Sequence, residues 1–208
     1  TQEDIVFLDA QAEPIELTPE VSLVGTSGWF DGRLGEWDAS VFMWDYVVID
    51  ELQRALLHGL DFNLTDLDQS GTSYQALTRY AFKENEKRIR ALIESWAREE
   101  VEALRLRIEK ARTPHVMVAT HFPPWEENHT HKGKPGGPYW LPCFSSNLMG
   151  IMLEEEAYVA LDKHFHIYSG HTHDSTHFMP LHSVTSLTRK AAYGNPLFSL
   201  CKINPLSQ

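Results

Sequence analysis

Cysteine is scarce in this chain, with Cys143 and Cys201 the two among 208 residues. Two cysteines make no disulfide framework, and a reducing cytoplasmic setting fits them best. Long apolar runs are lacking too. No window reaches about 18 consecutive apolar residues, so the sequence offers no membrane span, and its first residues carry no signal-peptide pattern. Positive charge is in deficit: 18 Lys and Arg stand against 29 Asp and Glu, a formal net charge of −11. Without a basic stripe to track phosphates, nucleic-acid binding is not expected. Phosphate chemistry stays open, because a bound metal would dominate the field around it.

What the chain does have is enough apolar material for a core, 42% of residues with six Trp. Its length fits one domain over residues 1–208. Ile5–Leu8 reads as a strand, and Pro14–Leu17 with Val21–Thr26 reads as a hairpin about Thr18-Pro19-Glu20. Residues 28–36 read as a Gly-rich loop. The aromatics Trp29, Phe30, Trp37, Trp44 and Tyr46 either anchor that loop in the core or floor a cleft. Residues 50–60 carry a helical pattern that stops at Gly59. From Tyr74 to Lys110 apolar residues recur near a 3.6 period without Pro or Gly, which predicts one long or two consecutive outer helices, or a helix that binds a partner. Residues 122–147 read as a long loop with five Pro and three Gly, and loops of that length are often functional. Its His129 and His131 are candidates for an extra ligand or proton donor. Its Trp125, Tyr139, Trp140 and Phe144 are candidates for stacking on a base or leaving group. Residues 149–163 read as a helix.

The histidines carry the chemistry. Phe165–Ser169 alternates as a strand does and runs into Gly170-His171-Thr172-His173. Pro114–Thr120 reads as a second buried strand, ending at His121 before Phe122-Pro123-Pro124, which cannot continue a ladder. Each strand thus delivers histidine to a loop mouth, and neutral imidazole is the commonest nitrogen ligand for divalent metals. The intervening loop and helix predict a crossover between neighbouring parallel strands. That would bring His121 and His171 to the carboxyl edge of one sheet, where sites in open α/β sheets lie. His177 and His182 are expected in a turn or at a sheet edge, without a role.

Thr120-His121-Phe122-Pro123-Pro124, followed by Ser169-Gly170-His171-Thr172-His173-Asp174, resembles the last two motifs of the calcineurin-like metallophosphoesterases. Val24–Asp31 and Ala192–Pro196 resemble flanking stretches of the same family, in family order. The resemblance implies an α/β (α+β) fold, a four-layer αββα sandwich of which this chain is the C-terminal part, supplying one sheet and its helices. It implies hydrolysis of phosphomonoester, phosphodiester or pyrophosphate bonds by a metal-bound hydroxide at two metal ions, of the Mn, Fe or Zn kind. His121 and His171 would share one metal and His173 would take the other. No catalytic residue is assigned.

Three further family motifs are missing. There is no Asp-x-His after an N-terminal strand, no Gly-Asp-x-x-Asp and no Gly-Asn-His. Asp162-Lys163-His164 matches the first of these literally but sits at the end of a helical stretch. Asp66 and Asp68 lack a preceding Gly-Asp and read as a solvated loop. Three imidazoles bring no charge to offset two dications. The expected partners are therefore the remaining N-terminal part of the same domain and a phosphate-ester substrate, with the fragment alone inactive. The alternatives are a degenerate, non-catalytic domain acting as an interaction module, and a mononuclear zinc site of His121, His171 and His173.

Overall fold

The computed structural model describes residues 6–62, 64 and 71–191. Ile5, the acidic cluster at Asp66 and Asp68, the stretch Ala192–Pro196 and Cys201 lie outside the described residues. The elements in chain order are β1 (Ile15–Thr18), β2 (Val21–Thr26), α1 (Asp45–Val48), α2 (Asp50–Leu56), α3 (Thr72–Lys110) and β3 (His115–Thr120). Then come β4 (Thr130–His131), β5 (Lys134–Pro135), α4 (Leu141–Phe144), α5 (Asn147–Val159), β6 (His164–Ser169), β7 (Thr176–Leu181) and β8 (Val184–Thr188). Six strands form one mixed sheet in the order β1-β2-β3-β6-β8-β7. The inner four pair in parallel, and β1 and β7 close the edges antiparallel. The fold class is therefore mixed α/β. Among the described residues no helix is long and apolar enough to cross a membrane.

The expected β1–β2 hairpin forms, and β3 and β6 are parallel neighbours, with His115 opposite His164 and Ala119 opposite Tyr168. The period from Tyr74 to Lys110 becomes one helix of 39 residues, about 58 Å long. Its C-terminal half buries Val101, Leu104 and Ile108 on the sheet, beside Met149, Met152 and Leu153 of α5. Its N-terminal half buries Ala81, Ile89 and Ile93 in a second core with Phe30, Tyr46 and Leu52. Ion pairs from Arg105 to Glu155 and Glu156, at 2.6 and 2.8 Å, tie α3 to α5.

The sheet is covered unequally. Val24, Val116, Val118, Phe165, Ile167 and Val184 face α3 and α5 and are at most 2% exposed. The alternate residues Leu23, Met117, His166, Tyr168, Thr185 and Leu187 are all partly exposed, and Leu23, Met117 and Leu187 belong to neither core. Sheets with parallel strands usually have both faces covered. Here, among the described residues, one face is packed and the other is partly exposed.

Several expectations are corrected. Residues 6–8 do not form a strand; Leu8–Ala10 is a single 3-10 turn. The turn has a tertiary cause, because the Asp9 carboxylate accepts from the Ser27 N–H and hydroxyl at 2.6 and 2.8 Å while Arg107 donates to the Asp9 carbonyl. Residues 122–147 are not a plain loop but hold a 3-10 turn, the β4–β5 hairpin and α4. Cys143 lies in α4, fully buried, with its sulfur 3.2 Å from the Tyr46 hydroxyl. Phe30, Trp37 and Tyr46 are core aromatics, whereas Trp44 is 48% exposed. The β7–β8 hairpin has no clear sequence signal, because Pro180 interrupts β7. The edge position and the register shift between Phe178 and Leu181 accommodate it.

The two sheet faces should respond differently to truncation. Ile167→Ala is expected to cost about 2–5 kcal/mol, and Leu187→Ala on the open face less than about 1.5 kcal/mol. Urea denaturation of both variants measures this, and equal losses would mean that both faces are packed.

Candidate functional site

The parallel pairing of β3 and β6 sets two strand ends side by side, and the backbone ties them: the Gly170 N–H donates to the His121 carbonyl at 3.0 Å. Immediately beyond, His121 Nε2 and His171 Nδ1 lie 2.9 Å apart. The His171 ring is held between Phe122 and Phe144, each with its centroid 4.4 Å away. Its Nε2 is buried and has no hydrogen-bond partner. Burial above all, then the neighbouring His121 and His173, pushes the His171 pKa down to about 3. His121 is exposed as a residue, yet the protein packed around its ring, and next His173, also lower its pKa, with Asp45 acting against them. Both rings are therefore held neutral, the state in which imidazole ligates a metal.

Gly170 stands directly before the histidine pair. A Cβ there would meet His121 atoms only at 3.8 Å, an ordinary contact. The unusual backbone belongs to the histidines, since His171 and His173 take φ of 63° and 59°. Left-handed conformations of this kind cost non-glycine residues about 1–3 kcal/mol and cluster at functional sites.

A cavity of about 210 Å³ opens beside the pair, lined by Trp29, Phe30, Asp45, His121, Phe122 and His171 among others. Asp45, the first residue of α1, supplies its carboxylate. Sequence reasoning missed it, because an acidic residue opening a short helix looks like any other helix start. Asp31 was also missed as a structural residue. Fully buried, it accepts the Leu148 N–H at 2.6 Å in the first turn of α5 and the Arg33 N–H at 3.0 Å. It thereby fastens the Gly-rich loop to the helix that leads into β6. Burial raises its pKa, and the two backbone N–H groups oppose that.

The long segment after His121 closes over this end of the sheet. Buried Asn128 donates to Thr176 at 2.9 Å and accepts from Ser186 at 2.7 Å. Asp174, next to His173, accepts from the Gly133 N–H at 2.9 Å and from Thr130 at 3.2 Å. Further along the same segment, Phe144 at the end of α4 packs on His171. His129 is buried behind Phe144 at a ring separation of 5.5 Å, while His131 is exposed. His177 and His182 are exposed on β7 and in its turn.

Of the three histidines expected as ligands, His121 and His171 are at contact distance, and the charge of His173 is felt at both. Among the described residues, no three or more His, Cys, Asp or Glu side chains stand arranged to hold a metal ion. The donor pair and the orphaned Nε2 fit a metal, while one neighbouring carboxylate does not supply the charge of a two-metal centre. Comparison of the chain with models of known protein families and with curated proteins finds no match.

Glycine substitutions test the backbone. Gly170→Ala should change stability by less than about 1 kcal/mol. Gly35→Ala, at φ +71° with its Cβ 2.1 Å from the Pro138 carbonyl oxygen, should cost about 1–3 kcal/mol or more. Thermal denaturation distinguishes the two, and a large loss in Gly170→Ala would show crowding behind His171.

Proposed function

We propose that this chain is the C-terminal part of a metal-dependent phosphoester hydrolase that works with two metal ions, and that its sheet is one half of a four-layer αββα sandwich. The observation that carries the reading is the meeting of His121 and His171, delivered by adjacent parallel strands, with ring nitrogens 2.9 Å apart in a cavity bearing the Asp45 carboxylate. The open sheet face supports the same reading: a second sheet laid on Leu23, Met117, Tyr168 and Leu187 would complete the usual burial of a sheet with parallel strands.

His121 and His171 would hold one metal and His173 the other, with Mn, Fe or Zn compatible with imidazole and carboxylate donors. Bound there, the metals would supply Lewis acidity and a nucleophile at neutral pH. The chain's own residues do the positioning. Phe122 and Phe144 fix the plane of the His171 ring, and the aromatic wall of Trp29, Phe30 and Phe122 keeps water from that side of the cavity. The phosphate ester would enter from the open side, and carboxylates outside this chain would offset the metal charge.

The open face also favours a second reading, a non-catalytic domain that uses this surface for interaction. One experiment separates them. In the full open reading frame, Mn- or Zn-dependent hydrolysis of an activated aryl phosphodiester should fall roughly 100-fold or more in His171→Ala, since the chemistry needs both metals in place. His177→Ala and His182→Ala should leave it unchanged, with circular dichroism reporting the fold. An inactive full-length protein, or a fully active His171→Ala, would reject the hydrolase.

A further inference from the structure

A second group of histidines stands at the other end of the same two strands. His164 and His166 form a His-x-His on β6, and His115 begins β3 directly opposite His164. Alternation along a strand puts residues 164 and 166 on one face, and the pairing puts His115 on that face too. It is the open face of the sheet. Six residues of extended chain separate His115 from His121, about 20 Å, so this group is distinct from the first.

As the rings stand, two of the three are paired and the third lies close by. His115 Nδ1 and His166 Nε2 face each other at 3.0 Å. Two nitrogens bound at 2.0–2.1 Å to one tetrahedral zinc are about 3.3 Å apart. The His164 ring centroid is 5.6 Å and the His166 centroid 5.3 Å from that of His115. His115 is 4% exposed, and its other nitrogen, Nε2, is buried without a partner. Among the described residues, no carboxylate or hydroxyl is hydrogen-bonded to these three rings.

We propose that His115, His164 and His166 form a second transition-metal site, a three-imidazole site of the zinc class. His115 and His166 present two donors already at chelating distance. His164, half-exposed, turns about its side chain to bring the third, and a water takes the fourth position. Burial, first among the causes, holds the pKa of His115 down and that of His166 at about 4, so both rings are neutral at pH 7 without a metal. The negative charge of Glu20, felt at His115, favours a cation there. The inference does not depend on phosphoester hydrolysis at the other strand ends.

The test uses the chain with His121→Ala and His171→Ala, which removes the first histidine pair. Calorimetric titration with Zn²⁺ should show one equivalent bound, and Co²⁺ should give the visible bands of a tetrahedral site. Adding His166→Ala, and separately His164→Ala, should weaken Zn²⁺ binding by about 100-fold or more. If His166→Ala fails to fold by circular dichroism, the half-exposed His164→Ala decides alone. No Zn²⁺ binding in the starting double variant would overturn the site, as would binding that survives unchanged in His164→Ala.

Discussion

The in-register parallel pairing of β3 with β6 is the constraint from which the rest follows. Because His115 is opposite His164 and Ala119 opposite Tyr168, both strands start and stop together. Their carboxyl ends bring His121 to His171, and their amino ends bring His115 to His164 and His166. A slip of one residue would turn every side chain of β6 to the other face. It would separate both histidine groups and expose Phe165 and Ile167 in place of His166 and Tyr168. The apolar face against α3 and α5 holds the register, since burying a side chain of that size is worth about 1.5–3 kcal/mol.

The two faces of the sheet differ in character. One is a close-packed apolar layer. The other carries Leu23, Met117, Leu187 and Tyr168 among histidines and threonines, only partly covered. That face also carries the second histidine group, His115, His164 and His166. The His121–His171 pair lies at the sheet's edge, where strand ends rather than strand faces meet a ligand.

Around that edge the protein works by clamping. Phe122 and Phe144 hold His171 from two sides, and Asn128 and Asp174 hold the segment that carries Phe144. Asp31 fastens the Gly-rich loop to the start of α5. These are polar anchors under an aromatic wall, and each satisfies backbone N–H or hydroxyl groups that burial would otherwise leave unpaired.

The sequence by itself determined the local elements whose signal is a period or a punctuation: the β1–β2 hairpin, the long helix α3, the strands β3 and β6, and the helix between them. It also put His121 and His171 at strand ends, because a histidine after an apolar alternation and before Pro or a turn is visible in one dimension. Tertiary structure decided the rest. Asp45 and Phe144 reach the site through a chain reversal and a long folded segment, and no local pattern records such an approach. The 3-10 turn at Leu8–Ala10 follows from a carboxylate meeting Ser27, far along the chain. Asp162-Lys163-His164 reads as a chance match on a helix end, yet pairing sets His164 beside His115 on the sheet. A sequence specifies which side chains point together along one element; which elements lie side by side is settled by burying apolar faces against each other, and only then do the histidines find their neighbours.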